Sequence, residues 1–249
     1  HRAKAVKACP DIRVPVLTVG AFQRPEAIER VLAAGEADIV AMARGTIADP
    51  ATVAKAREGR PQDIVPCIKC FRCLDEFKTA HRYSCSVNPL AGRETRVGML
   101  EPRSYRRMTV AVVGGGPAGM EAALRAAARG HTVTLFEREA ELGGRLNEAC
   151  AMPFKYDLAR YRDYLVEHVK ADDAIAVHLG VVATPELVAS YGFDAVLAAV
   201  GAEEVIPGIE GIDRANVLLA GDALLTPGCV GERVAIIGGG EVGCEVAVH

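Results

Sequence analysis

The chain has 249 residues, 50% of them hydrophobic, and a formal net charge of −3 at pH 7. This charge gives no basis for binding nucleic acid or an anionic membrane surface, and the apolar runs are shorter than the ~20 residues of a membrane helix. The charged residues His1, Arg2 and Lys4 do not resemble a secretory leader. We therefore expect a cytoplasmic protein, and the absence of an initiator Met suggests an internal or processed start.

The first sixty residues predict a βαβα pattern. We expect strands at Pro15–Gly20 and Asp38–Ala43, and helices at Glu26–Ala34 and Pro50–Glu58. This alternation favours a parallel sheet or a barrel. Val and Ala dominate the apolar content, which suits parallel strands covered by helices.

Residues 61–105 lose this periodicity, and we predict an irregular segment held by a metal. It contains Cys67, Cys70, Cys73 and Cys85 in the spacing C-x2-C-x2-C-x11-C. All-cysteine ligation suits soft metals, and the first three cysteines match the run of bacterial ferredoxins. A structural zinc site normally uses two separated C-x2-C pairs. The spacing therefore predicts a 4Fe–4S cluster, with zinc and unligated thiols as alternatives.

Regular periodicity returns downstream. Thr109–Val113 is predicted to be a strand, Pro117–Arg129 a helix and Thr132–Glu137 a second strand. The remaining predicted elements are a helix at Asp157–Val169 and strands at Asp194–Val200, Val217–Ala220 and Arg233–Ile237.

A glycine motif joins the first of these strands to its helix. Gly114, Gly116 and Gly119 form G-x-G-x-x-G, in which the glycines permit a tight turn, close approach of a pyrophosphate and close helix–strand packing. The helix N-terminus would face the phosphates. Glu137 lies 18 residues after Gly119, where a ribose-binding acid is expected. We predict a dinucleotide site, the alternative being a glycine-rich turn that binds nothing.

A second copy of this motif lies near the end of the sequence. Val110–Gly119 and Val234–Gly243 align at an offset of 124 residues, so Gly238, Gly240 and Gly243 repeat the fingerprint. A complete βαβ unit needs ~30 residues, and six residues follow Gly243. We predict the start of an NAD(P)H site, with a non-binding segment as the alternative. The preference between NADH and NADPH is not encoded in this sequence.

Together these segments resemble the Old Yellow Enzyme-like iron–sulfur flavoproteins, the family of 2,4-dienoyl-CoA, enoate and bile-acid enoyl reductases and trimethylamine dehydrogenase. The resemblance covers nearly the whole chain and rests on the segments PVLTVG, DIVAMARG, PCIKCFRC, CSVNPLAG, VVGGGPAG, ELGGR and IIGGGEVG. It implies an α/β chain with the end of a (β/α)8 barrel, an iron–sulfur linker, a Rossmann-like FAD-binding domain and the start of a nested NAD(P)-binding domain. The corresponding limits are 1–60, 61–105, 106–228 and 229–249.

The resemblance also assigns cofactor-binding residues. Gly20, Ala43, Arg44 and Gly45 match the FMN phosphate site, in agreement with the phosphate position at the last two loops of such barrels. The residues implied to hold FAD are Gly114, Gly116, Pro117, Ala118, Gly119, Glu137, Arg138, Gly144, Arg145 and Gly201. The ELGGR segment favours FAD over NAD at this site, and Val200 replaces the Thr usual before Gly201. The four cysteines match the cluster ligands. The family's substrate-side acid lies upstream of this sequence, so no catalytic residue is assigned.

The activity implied by the resemblance is electron transfer from NAD(P)H through FAD and a 4Fe–4S cluster to FMN, which reduces an activated C=C bond. The substrate would be a small molecule, with acyl-CoA thioesters among the candidates. An amine dehydrogenase or demethylase with outward electron flow is the alternative favoured by the cysteine spacing, whereas the intact second glycine motif favours a pyridine-nucleotide reductase. A non-catalytic nucleotide-binding fragment with a structural metal is the third hypothesis, because two strands cannot close a barrel. Oligomerisation is left open.

Overall fold

The computed structural model describes residues 2–97 and 106–249. His1 and residues 98–105, which end the predicted iron–sulfur segment, lie outside the described residues. The chain forms two compact units, residues 1–101 and 102–249. No helix in the described part of the chain is both long and apolar enough to cross a membrane.

The N-terminal unit is built on a two-stranded parallel sheet. Strand β1 (Leu17–Val19) pairs with β2 (Ile39–Ala41), with Leu17 opposite Ile39. The helix between them begins at Pro25, a residue suited to the first helical position. Asp38 initiates β2, because its carboxylate accepts a hydrogen bond from the Val16 backbone N–H at 2.8 Å. The described residues of this unit form the helices α1 (Arg2–Lys7), α2 (Pro25–Ala33), α3 (Arg44–Ala48), α4 (Thr52–Arg57), α5 (Arg72–Ala80) and α6 (Glu94–Val97).

The prediction of an irregular segment after residue 60 is wrong over α5. This nine-residue helix was missed because it is short and its sequence is largely polar. Arg72 and Glu76 stabilise it as an i,i+4 ion pair of 2.5 Å. His81 ends the helix in the left-handed conformation, at φ 49°. Helices α1, α3 and α6 are further elements that the sequence pattern did not predict.

The C-terminal unit contains a four-stranded parallel sheet in the order β5-β4-β3-β6. The strands are β3 (Thr109–Val113), β4 (Thr132–Phe136), β5 (Ile175–His178) and β6 (Ala195–Ala198). Val112 and Leu135, on the two central strands, are fully buried, as expected for parallel strands covered on both faces. Met120 and Leu165 from the covering helices complete this core. The helices are α7 (Pro117–Ala128), α8 (Arg145–Ala149), α9 (Tyr156–Ala171), α10 (Pro185–Ser190), α11 (Ala220–Leu225) and α12 (Glu241–Val248).

Two predicted strands of this unit are wrong. Val217–Ala220 leads into α11, for which Leu219 is the N-cap residue. Arg233–Ile237 forms no strand, since the sheets formed by the described residues contain the six strands given above. An apolar run becomes a strand when a neighbour satisfies its backbone groups. The sequence pattern also missed β5, whose four residues are too short to show a clear period.

Candidate cofactor sites

The first glycine motif forms a tight turn between β3 and α7. Gly114 has a φ of 109°, and a Cβ there would lie 2.3 Å from the Ala199 carbonyl oxygen. A Cβ on Gly119 would lie 1.8 Å from the Gly114 carbonyl oxygen. These two glycines are therefore required for the strand, turn and helix to pack against each other.

The second glycine of the motif has a different environment. Gly116 is the N-cap residue of the 12-residue helix α7, with Pro117 and Ala118 in the first turn. A Cβ on Gly116 would meet no heavy atom within 4 Å. The turn thus leaves open space directly in front of a helix N-terminus, which is the arrangement that accepts a pyrophosphate.

Glu137 is held against this turn by both of its carboxylate oxygens. The Gly115 backbone N–H donates to Oε2 at 2.6 Å, and the Glu139 backbone N–H donates to Oε1 at 2.8 Å. Glu137 is 6% exposed. A Cβ on Gly115 would lie 2.5 Å from Leu142 Cδ2 and 2.9 Å from Glu137 Oε2. Gly115, a variable position in the motif, is therefore a site residue that the sequence analysis missed, although the run of three glycines is its signal.

The ELGGR segment packs on the same turn. The Gly143 backbone N–H donates to the Gly115 carbonyl oxygen at 3.0 Å. Gly144 has a φ of 52°, and a Cβ there would lie 3.0 Å from the Gly116 Cα atom. Two backbone loops therefore border the open space at Gly116, as a pyrophosphate cradle requires.

The other predicted FAD residues lie around this cradle with partners of their own. Arg145 begins α8 and donates to Glu148 at 2.8 Å and to Glu204 at 3.0 Å. Arg138 is exposed and forms an ion pair with Glu139 at 3.2 Å. Gly201 follows β6, is exposed and has a φ of 75°. The structure thus brings Gly114, Gly116, Gly119, Glu137 and Gly144 together and leaves Arg138 and Gly201 at the surface.

The second glycine motif adopts the same local geometry as the first. Gly238 has a φ of 107°, and a Cβ on Gly243 would lie 1.9 Å from the Gly238 carbonyl oxygen. Gly240 is the N-cap residue of α12 and again has no heavy atom within 4 Å of its Cβ position. The fingerprint turn is formed here without a paired strand ahead of it.

The four predicted cluster ligands line one cavity, called here the cluster cavity, together with Arg44 and Phe71. All eight cysteines of the chain are free thiols. The loop around Cys70 is strained, since Lys69 and Phe71 on either side have φ values of 54° and 59°. Non-glycine residues in this region are uncommon and concentrate at functional sites.

The chemistry of these thiols suits a metal cluster. Burial raises the pKa of Cys67 and that of Cys85, and neighbouring thiols add to both effects. The Lys69 backbone N–H donates to Cys67 Sγ at 3.4 Å, and Cys70 Sγ lies 3.2 Å from Ser86 Oγ. Such hydrogen bonds tune iron–sulfur clusters. Within residues 2–97 and 106–249, no three His, Cys, Asp or Glu side chains converge to hold a single metal ion. The fit to a cluster therefore rests on four soft sulfur donors around one cavity, and not on an assembled site for a single ion.

Polar side chains join the two cysteine-bearing segments. Glu76 accepts hydrogen bonds from Arg72 at 2.5 Å and from Arg82 at 2.7 Å. Arg72 Nε also donates to Ser84 Oγ, next to Cys85, at 3.4 Å. Since Arg72 lies between Cys70 and Cys73, this network fixes the first cysteine loop to the approach of the fourth cysteine.

A second cavity of about 160 Å³ lies at the carboxyl ends of β1 and β2 and is called here the flavin-phosphate cavity. Gly20, Ala43, Arg44 and Gly45 all line it, as do Gln23 and Cys67. Gly45 is buried and approaches the Phe22 carbonyl oxygen, which is 3.4 Å from its Cβ position. Arg44 Nη1 is buried without a hydrogen-bond partner. Because Arg44 lines this cavity with a guanidinium donor to spare, the residues fit a phosphate group bound beside it.

Two known protein families match this chain, one in each of the two units. The pyridine nucleotide-disulphide oxidoreductase family matches residues 108–249, and the NADH:flavin oxidoreductase / NADH oxidase family matches residues 2–63. An NADH oxidase from Thermoanaerobacter brockii is 43% identical over 95% of this chain and 37% of that protein. A cinnamate reductase from Clostridium sporogenes is 37% identical over 95% of this chain and 35% of that protein. The chain therefore spans little more than a third of the length of these relatives.

Two solved structures also match most of this chain. The 6-hydroxypseudooxynicotine amine oxidase from Pseudomonas geniculata N1 has a TM-score of 0.81 and 32% identity, over 92% of this chain and 36% of that chain. A 2-naphthoyl-CoA reductase in complex with 2-naphthoyl-CoA has a TM-score of 0.81 and 31% identity, over 95% of this chain and 36% of that chain.

Proposed function

Because this chain belongs to the pyridine nucleotide-disulphide oxidoreductase family, we propose that it is part of an NAD(P)H-dependent oxidoreductase that reduces an activated C=C bond. The matches to both families confirm the resemblance stated from the sequence, and the two solved structures confirm the end of a barrel followed by a Rossmann-like domain. The chain is thus a flavin oxidoreductase by family, and its electron path and substrate are the subject of the proposal.

The paired glycine turns carry this proposal. At the first turn, the open space before Gly116 would receive the FAD pyrophosphate, and Glu137, already fixed by two backbone N–H groups, would accept hydrogen bonds from the ribose. At the second turn, Gly240 offers the same open space for the pyrophosphate of NAD(P)H. Two such turns in one chain suit a protein that transfers hydride between two dinucleotides.

The N-terminal unit would supply the remaining groups. Arg44 and the backbone at Gly20, Ala43 and Gly45 would hold the FMN phosphate. The ligands proposed for a 4Fe–4S cluster are Cys67, Cys70, Cys73 and Cys85. When bound, the two flavins supply hydride chemistry and the cluster supplies single-electron transfer between them.

The substrate proposal follows from the relatives. One relative is a cinnamate reductase and another a 2-naphthoyl-CoA reductase, and both of these substrates contain unsaturated carbons conjugated to a carbonyl group. This supports an activated C=C substrate and keeps an acyl-CoA thioester among the candidates. An amine dehydrogenase or demethylase is the second candidate, because the amine oxidase structure superposes equally well. The second glycine turn favours the NAD(P)H-dependent reductase, because Gly240 offers open space for the pyrophosphate of a second dinucleotide. We also propose a cytoplasmic location and domain limits of 1–60, 61–105, 106–228 and 229–249.

Anaerobic purification, followed by assay of iron, sulfide, zinc and flavin, tests the cofactor content. About four irons and four sulfides per chain, with an absorbance band bleached by dithionite, and bound FAD are the expected results. Zinc without flavin would contradict the proposal and favour a structural metal in a non-catalytic fragment.

The direction of electron flow needs a second measurement. NADH or NADPH should bleach the flavin absorbance under anaerobic conditions in the full-length protein, whereas a secondary amine should not. The reverse result would favour the amine dehydrogenase.

A further inference from the structure

The cluster cavity and the flavin-phosphate cavity share two residues of their lining. Arg44 and Cys67 line both. Cys67 is held from the flavin-phosphate side, because its backbone N–H donates to Gln23 Oε1 at 2.8 Å and Gln23 is buried. The proposed ligand loop and the proposed phosphate site are therefore in direct contact within one unit.

Packing against an aromatic ring places Arg44 at this junction. Its guanidinium carbon lies 4.3 Å from the centroid of the Phe71 ring, a cation–π distance. Phe71 lies between Cys70 and Cys73 and has a left-handed φ of 59°, so a strained backbone residue carries the ring beneath Arg44. Arg44 Nη1 is buried and unsatisfied, which leaves a hydrogen-bond donor available for an anion.

The charge of Arg44 also acts on the cysteines. Arg44 lines the cluster cavity together with all four cysteines, so its positive charge lies beside the proposed ligands. A positive charge beside a metal cluster favours the more negative, reduced state of that cluster. An anion bound to Arg44 would oppose this effect.

We propose that Arg44 couples the two cofactor sites, because one guanidinium both binds the phosphate group in the flavin-phosphate cavity and sets the reduction potential of the cluster. This inference rests on the proposed function, specifically on a cluster at the four cysteines. The redox step adds one electron to the cluster and breaks no bond. By linkage, phosphate binding lowers the potential of the cluster, and reduction of the cluster weakens phosphate binding by the same factor.

The experiment compares Arg44→Gln and Arg44→Lys with Arg57→Gln in the cluster-reconstituted protein. Arg57 is an exposed residue of α4 that lines neither cavity, so its substitution is a control for lost charge. Iron and sulfide contents are measured first. An anaerobic titration with dithionite, followed by electron paramagnetic resonance, then gives the midpoint potential with and without inorganic phosphate.

We expect R44Q to have a more negative potential than the wild type, R44K to lie between them, and R57Q to match the wild type. Phosphate should lower the midpoint potential of the wild-type cluster. The phosphate concentration that produces half of this shift should be about tenfold or more higher in R44Q, because a charge-assisted hydrogen bond to phosphate is lost.

Three results would overturn the coupling. Equal potentials in R44Q and the wild type at equal iron content would show that Arg44 does not tune the cluster. A wild-type potential insensitive to phosphate, or an equal phosphate shift in both proteins, would show that Arg44 does not link the sites. Absence of iron in the wild type would instead refute the proposed function, and the inference with it.

Discussion

The Gly115 backbone N–H and Glu137 Oε2 are 2.6 Å apart, which joins the glycine turn to the end of the neighbouring strand. The other carboxylate oxygen accepts the Glu139 backbone N–H at 2.8 Å. Glu137, the proposed ribose-binding acid, is thus held by two backbone donors, which would reduce the ordering cost of binding.

Substitution Glu137→Gln should weaken both the fold and FAD binding. Both carboxylate oxygens face backbone donors, so the amide NH2 of a glutamine would leave one N–H unsatisfied, at a cost of about 1–3 kcal/mol. We expect lower stability in urea unfolding and an affinity for FAD reduced about tenfold or more.

Glu139→Gln is the matched control for this substitution, because the Glu139 side chain is 65% exposed and pairs with exposed Arg138. Glu139→Gln should keep the affinity for FAD within about twofold of the wild-type value, because surface ion pairs contribute little to stability. Equal FAD affinities for E137Q and the wild type would show that Glu137 does not serve the ribose.

Alanine substitutions separate the two kinds of glycine in the first turn. Gly116→Ala should lower the free energy of unfolding by less than about 1 kcal/mol, because φ is −72° and the Cβ position is open. It should nevertheless lose FAD, because the added methyl group would occupy the pyrophosphate space. Gly119→Ala should lower the free energy of unfolding by about 1–3 kcal/mol or more, because its Cβ would lie 1.8 Å from the Gly114 carbonyl oxygen. Thermal unfolding and the flavin content of purified protein measure the two effects.

The outcome that contradicts this division is retention of FAD by G116A. In that case the open space at Gly116 would not be the pyrophosphate site. Gly240→Ala, in the second turn, provides an internal comparison, because it has the same open geometry and should leave the FAD content unchanged.

The sequence was informative wherever one local pattern determined the structure. The run from Thr109 to Phe136 combines a Val-rich strand, a glycine turn, an Ala-rich helix and a second strand, and all of them form within one residue of the predicted limits. Tertiary pairing decided the elements that were predicted wrongly. Arg233–Ile237 has the same apolar pattern as β3, but no neighbouring strand pairs with it among the described residues.

Contacts between distant segments were beyond sequence reasoning. The four cysteines were found from their spacing, whereas the contact of Gln23 with Cys67 spans 44 residues and has no sequence signature. Helix α5 was missed because it is short and largely polar, and the ion pairs of Glu76 that stabilise it could not be read from the sequence pattern.

Glu76 should control how firmly the cysteine loops hold the proposed cluster. Its carboxylate joins Arg72, between the second and third cysteines, to Arg82, ahead of the fourth. Glu76→Gln removes the charge that binds both guanidinium groups, so we expect faster loss of iron to a chelator. The exposed neighbour Asp75 provides the control variant Asp75→Asn, and equal rates of iron loss in E76Q and D75N would contradict a positioning role.

The last prediction concerns pH. Asp194 begins the turn into β6 and accepts hydrogen bonds from the Thr109 backbone N–H at 2.8 Å and from Thr109 Oγ1 at 3.0 Å. These two hydrogen bonds, and to a smaller extent the nearby Arg106, hold the pKa of Asp194 below its ordinary value. A depressed carboxyl pKa stabilises the fold above the unfolded-state pKa, and the contribution is lost as the pH falls through the folded-state value.

Asp194→Asn should therefore be less stable than the wild type at pH 7. The difference should shrink as the pH falls below the unfolded-state pKa of about 4 and through the lower folded-state pKa, because the wild-type carboxylate is protonated over that range. Urea unfolding at a series of pH values measures this convergence. Asp173→Asn, at an exposed turn ahead of β5, is the control and should follow the wild-type curve throughout. A difference between D194N and the wild type that stays constant down to pH ~2 would mean that the hydrogen-bond geometry of the side chain, rather than its charge, holds β3 and β6 together.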